Sequence, residues 1–141
     1  RIAALLAGIW AGALLCIGVN AAPAAFAVLA TPDAGRYVGR LFAQEAMLSV
    51  VFAVLLYVLA RRLAREAASV GRGSVLSAEV LLVFGALFCT VAGYYALQPM
   101  IEAARLGQGR FSFAALHGAS MAFFATKTLV VLSLAWRLTR R

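Results

Sequence analysis

The sequence has 141 residues, of which 65% are hydrophobic and 13% are charged, and its mean hydropathy is +0.95. Soluble globular domains are about 45–50% apolar and about 25% charged, so this composition excludes a disordered chain, a disulfide-rich secreted domain and a soluble enzyme. The net charge of +8 would suggest nucleic acid in a soluble protein. Here the arginines flank apolar runs, where membrane topology and anionic lipid head groups account for them. We therefore expect an all-α integral membrane protein that binds the lipid bilayer and no nucleic acid.

Four apolar runs predict a four-helix bundle that forms a single transmembrane domain over residues 1–141. An apolar helix needs about 20 residues to cross the hydrocarbon layer. The charge-free stretch Ile2–Pro32 is longer than a signal-peptide core of about 7–15 residues, so we interpret it as a retained first span. The predicted helices cover residues 2–29, 41–60, 77–98 and 113–136.

Prolines, arginines and glycines set the expected limits of these helices. Pro23 is expected to bend the first helix or to end its regular part. Arg61 and the residues after it are expected to end the second helix, and Gly71 and Gly73 predict a flexible turn before the third. Pro99 is expected to end the third helix, because the residue before a proline disfavours helical geometry.

The arginines are distributed unequally between the two sides of the predicted bundle. Lys and Arg are more frequent in cytoplasmic loops, so the richer side predicts that both termini are cytoplasmic in a bacterial inner membrane. Trp10, Tyr57 and Trp136 are expected at that interface. The richer side carries Arg1, Arg61, Arg62, Arg65, Arg72, Arg137, Arg140 and Arg141, against Arg36, Arg40, Arg105 and Arg110 on the other.

Two predicted helices carry small residues at four-residue spacing, a pattern typical of close helix packing in membranes. Packing within the chain is the simpler interpretation, and homodimerisation is the alternative. Both cysteines lie in apolar runs and are expected to be buried free thiols. The residues are Gly8, Gly12 and Cys16 in the first helix, and Gly85, Cys89 and Gly93 in the third.

Polar side chains at membrane depth are costly and therefore indicate a functional site. With this topology they converge in the external half of the bundle. The candidate site residues are Asn20, Glu45, Gln98, His117 and Ser120, with Met121 in the same layer.

His117 is the single histidine of the chain and shares a helix face with Met121, four residues later. Imidazole and thioether groups together suit Cu(I), so this layer is a candidate site for copper or another small cation. A structural hydrogen bond from His117, for example to Glu45, is the alternative. Haem held by two histidines is excluded within one chain, whereas haem held by one His and one Met stays open.

Lys127 lies on the His117 face of the fourth helix, near the middle of the bilayer. No carboxylate is predicted at its depth, because Glu45 is expected near one end of the second helix. The alternatives are a neutral amine, a hydrogen bond to a hydroxyl such as that of Thr90, and contact with an anionic ligand.

Several short segments, distributed over almost the whole chain, resemble the bacterial relatives of transmembrane protein 205. That resemblance implies a four-span membrane protein of unknown function, and it puts His117 and Ser120 forward without giving them a role. More distant similarity to the copper resistance protein D group and to HemJ-type protoporphyrinogen oxidases points to copper or haem, but the fuller histidine sets of those families are missing here. The segments are Trp10-Ala11-Gly12, Ala22-Pro23-Ala24-Ala25-Phe26, Ala34-Gly35-Arg36, Gly39-Arg40-Leu41-Phe42, Gln98-Pro99 and the run from Phe113 to Met121.

These observations leave three functions open. The first is binding or transport of copper or another small cation at the external polar layer. The second is an accessory subunit of a larger membrane complex, which would dock through its small-residue faces and arginine-rich loops. The third is haem binding. The sequence has no Walker-type loop, dinucleotide fingerprint or nucleophile elbow, so we do not expect an enzyme.

Overall fold

A computed structural model describes residues 1–72 and 74–140. Within these ranges the chain is helical and has no strand. Four helices are long and apolar enough to cross a membrane, which confirms the prediction of an all-α membrane protein. They are α1 (Ile2–Val28), α2 (Thr31–Ser69), α3 (Ala78–Arg105) and α4 (Phe113–Thr139).

Helices α1 and α3 are each interrupted by one π-helical segment, Cys16–Ala21 and Val91–Ala96. Each segment lies just before a proline, Pro23 in α1 and Pro99 in α3. A proline ring clashes with the carbonyl four residues earlier, and in both helices that carbonyl lies inside the wider π turn. The expectation that Pro99 ends the third helix is therefore wrong, and α3 continues to Arg105.

Helix α2 is much longer than the predicted range 41–60. Its first turn contains Pro32, and the missing N–H of this proline breaks no hydrogen bond, because the first N–H groups of a helix have no partner within it. Asp33 follows, and its carboxylate interacts favourably with the helix dipole. At its other end, arginine, alanine and glutamate are good helix formers, so the charged run from Arg61 continues the helix. Gly71 follows in a left-handed conformation, with φ of 72°, and Gly73 lies outside the described residues.

The helices form a ring in which α1 and α3 each pack against both α2 and α4. Helices α2 and α4 therefore lie on one diagonal of the bundle. The start of α1, the end of α2, the start of α3 and the end of α4 lie at one end, called here the terminal end. The α1–α2 connection at Leu29–Ala30 and residues 106–112 form the opposite end, called the distal end. The apolar core fills the terminal half, with Leu14, Leu56, Val83, Val131 and Leu134 fully buried.

The small residues of α3 mediate close packing against α4. Cys89 and Gly93 are buried. A methyl group added at Gly93 would overlap Phe123, and one added at Gly85 would lie 3.7 Å from Val130. This face of α3 therefore packs within the chain, against α4.

The corresponding face of α1 does not pack within the chain. Gly8, Gly12 and Cys16 are exposed, and a methyl group at either glycine would meet nothing within 4 Å. The expected intramolecular role of this face is wrong, as is the expected burial of Cys16. The helix buries its opposite face instead, which carries the bulky Trp10 and Leu14.

The two glycine faces therefore predict different responses to the same substitution. We expect Gly93→Ala to destabilise the protein by about 1–3 kcal/mol, because overpacking displaces Phe123 or a helix backbone. Gly12→Ala, the matched control, should leave stability unchanged or raise it slightly. Thermal unfolding of both variants in the same detergent measures the difference, and equal unfolding temperatures would contradict the packing described for α3.

Candidate functional site: a cavity in the distal half

A cavity of about 500 Å³ occupies the distal half of the bundle. Helices α2, α3 and α4 form its walls, and the last turns of α1 form one edge. Side chains near the distal end include Arg36 and Arg105, and the deepest lining residues include Glu45 and Lys127. Lys127 lies fourteen residues after Phe113, the first residue of α4, which corresponds to about 21 Å along the helix. The cavity therefore reaches well into the membrane-spanning region.

Glu45 and Lys127 form an ion pair at the floor of the cavity. Lys127 Nζ donates to Glu45 Oε1 and Oε2, at 2.8 Å each, and to Ser49 Oγ at 3.3 Å. Glu45 is 5% exposed and Lys127 is 3% exposed. The ammonium has three donors, and all three are occupied.

This pair corrects the expectation that no carboxylate reaches the depth of Lys127. The error came from the predicted start of the second helix, ten residues too late. Glu45 lies fourteen residues after the true start of α2 at Thr31, as Lys127 lies fourteen residues after the start of α4. Both helices run inward from the distal end, so the two side chains lie at the same depth.

Ser49 and Trp10 extend the polar network to α1. Ser49 Oγ donates to Glu45 Oε1, and Trp10 Nε1 donates to Ser49 Oγ at 3.0 Å. Trp10 is 1% exposed, so its ring lies inside the bundle and does not face lipid; its expected depth at the membrane interface stays a prediction. Among the described residues, every buried side-chain nitrogen and oxygen has a hydrogen-bond partner. The network therefore joins α1, α2 and α4 in one satisfied unit.

Most of the predicted site residues do line one cavity. They are Glu45, Gln98, His117, Ser120, Met121 and Lys127. Ser120 Oγ donates to the backbone carbonyl of Gly93 at 2.9 Å, which ties α4 to α3 at the cavity wall. Gln98 Nε2 donates to Glu102 Oε1 at 3.3 Å.

Asn20 is the exception, because it is exposed and does not line the cavity. It follows Cys16 by four residues and so continues the exposed face of α1. The structural alternative for His117 is also not found. Its ring stacks on Phe113 with a centroid distance of 5.4 Å, while Glu45 is held by Lys127 and Ser49.

The donor groups around His117 do not fit a copper or haem site. No group of three or more His, Cys, Asp or Glu side chains within the described ranges could hold a metal ion. Met121 lies one turn from His117 on the same face of α4, whereas the two axial ligands of a haem iron approach from opposite sides. Met47 and Met100 do not line the cavity. We therefore derive no chemistry through copper or haem.

Three residues of the site were not among the predicted site residues, namely Arg36 and Arg105 in the cavity lining and Ser49 at its floor. Arg36 pairs with Asp33 in the first turns of α2. The Arg105 guanidinium lies 5.3 Å from the centre of the Phe113 ring. The i, i+4 spacing of Glu45 and Ser49 was a usable signal, since such pairs are neighbours on one helix face.

Comparison with known proteins places the chain in a family. The family described as "Domain of unknown function (DUF4149)" matches residues 5–110. The chain belongs to this family. The match covers α1, α2 and α3, including Glu45, and ends before α4 begins. No curated protein and no solved structure matches the chain. A membrane family of unknown function agrees with the sequence analysis, while the relation to transmembrane protein 205 or to copper resistance protein D stays a prediction.

The ion pair predicts that removing one charge lowers the stability of the protein much more than removing both. Lys127→Met should destabilise the protein by about 3–5 kcal/mol, because Glu45 is then left buried without its counter-charge. Adding Glu45→Met to that variant should recover most of the loss, since an apolar pair of similar volume replaces the two charges. Unfolding by denaturant in a fixed detergent measures both variants.

The exposed Arg36–Asp33 pair provides the control for this prediction. Arg36→Gln should change stability by less than about 1 kcal/mol, because solvent screens an exposed pair. A double variant less stable than Lys127→Met alone would contradict the assignment of the buried pair.

Proposed function

We propose that the protein is a membrane-embedded binding protein for a small ligand with an apolar body and one anionic group. The cavity carries this proposal. Its volume of about 500 Å³ lies within the range of about 300–1,000 Å³ that is usual for small-molecule sites. Its lining includes the cationic side chains of Arg36, Arg105 and Lys127 and only one carboxylate, that of Glu45.

The walls of the cavity suit an apolar ligand body. Aromatic and aliphatic side chains form most of the wall surface, and polar side chains such as those of Tyr94, Gln98 and His117 lie among them. Such a lining, with a small number of oriented polar side chains, is typical of ligand pockets. The apolar wall residues include Phe42, Ile101, Phe113 and Phe124.

The arginines near the distal end are the best candidates to hold an anionic group. Lys127 has no free donor, because Glu45 and Ser49 occupy all three. A guanidinium binds a carboxylate or phosphate with two parallel hydrogen bonds. Arg36 and Arg105 lie on α2 and α3, on two different walls of the cavity, so one anionic group between them would be held from two sides.

The excess of positive charge argues against a cation as the ligand. Copper or another small cation would meet three cationic side chains and one carboxylate that is already paired. Docking to a larger complex rests on the exposed face of Gly8, Gly12 and Cys16, which lipid covers equally well. We therefore propose neither cation transport nor an accessory-subunit role.

We also infer that the terminal end faces the cytoplasm of a bacterial cell, so that the cavity lies toward the external side of the inner membrane. The positive-inside rule supports this orientation. The described arginines at the terminal end are Arg1, Arg61, Arg62, Arg65, Arg72, Arg137 and Arg140, against Arg36, Arg40, Arg105 and Arg110 at the distal end.

Trp10 provides an internal reporter for ligand binding. The chain has two tryptophans, so Trp136→Phe leaves Trp10 alone, hydrogen-bonded to the Ser49–Glu45 floor. We expect bromobenzoate to quench its fluorescence saturably in lipid nanodiscs, and the uncharged bromobenzamide to bind more weakly. Arg105→Gln should weaken bromobenzoate binding by about tenfold, the loss of about 1.4 kcal/mol for one charge-assisted contact.

Arg110→Gln is the matched control, since Arg110 lies in the α3–α4 connection and does not line the cavity. It should leave the affinity unchanged. Equal quenching by the acid and the amide, or equal affinity of the wild type and Arg105→Gln, would contradict the proposal.

A further inference from the structure

The cavity is not closed on the side where α1 meets α4. Phe26, in the last turns of α1, lines the cavity and is 53% exposed. Met121, near the start of α4, also lines the cavity and is 51% exposed. Side chains that line a cavity and also face outward mark a place where the cavity reaches the outer surface of the bundle. At membrane depth that surface is covered by lipid.

The contacts of α1 explain why the opening lies there. The first part of the helix, Ile2–Leu15, packs against both α2 and α4, whereas its last part, Ala22–Val28, packs mainly against α2. The two helices still approach closely at Gly18, where a methyl group would lie 2.9 Å from the ring of Phe124. Met121 lies one turn beyond this contact, toward the distal end.

The cause of the divergence is the irregular geometry of α1. The π-helical segment Cys16–Ala21 and Pro23 both lie at the point where α1 keeps its packing against α2 but leaves α4. Sharp bends in helices occur at prolines and at π bulges, and α1 has both within one short stretch. The gap between Phe26 and Met121 therefore follows from the course of the α1 backbone.

From this geometry we infer that the ligand reaches the cavity sideways from the bilayer and is a single-chain amphiphile with an anionic head group. The inference rests on the proposed function and names its ligand class. The head group lies between Arg36 and Arg105, near the level of the membrane interface. The acyl chain lies along the aromatic walls and leaves through the gap between Phe26 and Met121. Because part of the acyl chain lies outside the opening, in the lipid, the cavity does not have to enclose its whole length.

Charge and depth both favour this ligand over a water-soluble one. Arg36 and Arg105 are near the helix ends, where the polar head groups of lipids lie, and the apolar walls begin below them. An amphiphile dissolved in the membrane already has its head group at that level. It therefore needs only a lateral movement to place its charge against the arginines.

The test uses the Trp136→Phe protein in nanodiscs, with dibromostearate as the probe. Methyl dibromostearate, which has no charge, measures quenching from bulk lipid. We expect dibromostearate to quench Trp10 beyond that level and to saturate with its mole fraction in the bilayer. Met121→Tyr, which narrows the gap, should weaken dibromostearate binding several-fold more than it weakens bromobenzoate binding, and equal weakening of both probes would overturn the lateral route.

Met47→Tyr is the matched control, because Met47 is also exposed to lipid and does not line the cavity. It should have no effect on either probe. Unchanged dibromostearate binding in Met121→Tyr would overturn the lateral route. Quenching by bromobenzoate but not by dibromostearate would overturn the ligand class while the proposed function stands. Absence of saturable quenching by both probes would overturn the proposed function and this inference with it.

Discussion

Glu45 and Lys127 face each other across the diagonal of the bundle, and both side chains are buried. Either group alone would be very costly at this depth. Together with Ser49 and Trp10 they satisfy each other's hydrogen bonds. Helices on a diagonal are not neighbours, so this bridge and the edge-to-face contact between the Phe42 and Phe124 rings set the spacing between α2 and α4. The apolar core lies on its terminal side and the cavity on its distal side.

The two halves of the bundle differ because their packing differs on either side of this bridge. Toward the termini, alanine, leucine and valine fill the interior. Toward the distal end, the π-helical segments and prolines change the course of α1 and α3, and the interior is left open. The same backbone irregularities thus explain the cavity and its opening toward lipid. Arginines at the distal end then give the open half an excess of positive charge.

Composition and hydropathy were sufficient to predict four spans, because the membrane imposes length and apolarity on each span separately. Helix limits were less predictable. Pro99 was expected to end a helix, although it follows a π turn and the helix continues. The second helix was predicted to start at residue 41, whereas it starts at Thr31 with Pro32 in its first turn. The late start displaced Glu45 in the predicted bundle, so its pairing with Lys127 was not predicted. Six candidate residues still line one cavity. Their predicted depths along the helices were close enough that errors in the helix limits did not separate them.

The central claim is that Glu45 and Lys127 are paired inside the bundle. Exchanging the two charges tests it most directly. Glu45→Lys and Lys127→Glu should each lower the unfolding temperature strongly, because each places two like charges together at the cavity floor. The double variant, with the charges exchanged, should recover most of that loss and retain the emission spectrum of a buried Trp10. A double variant as unstable as the two single effects added together would show that the two side chains do not meet.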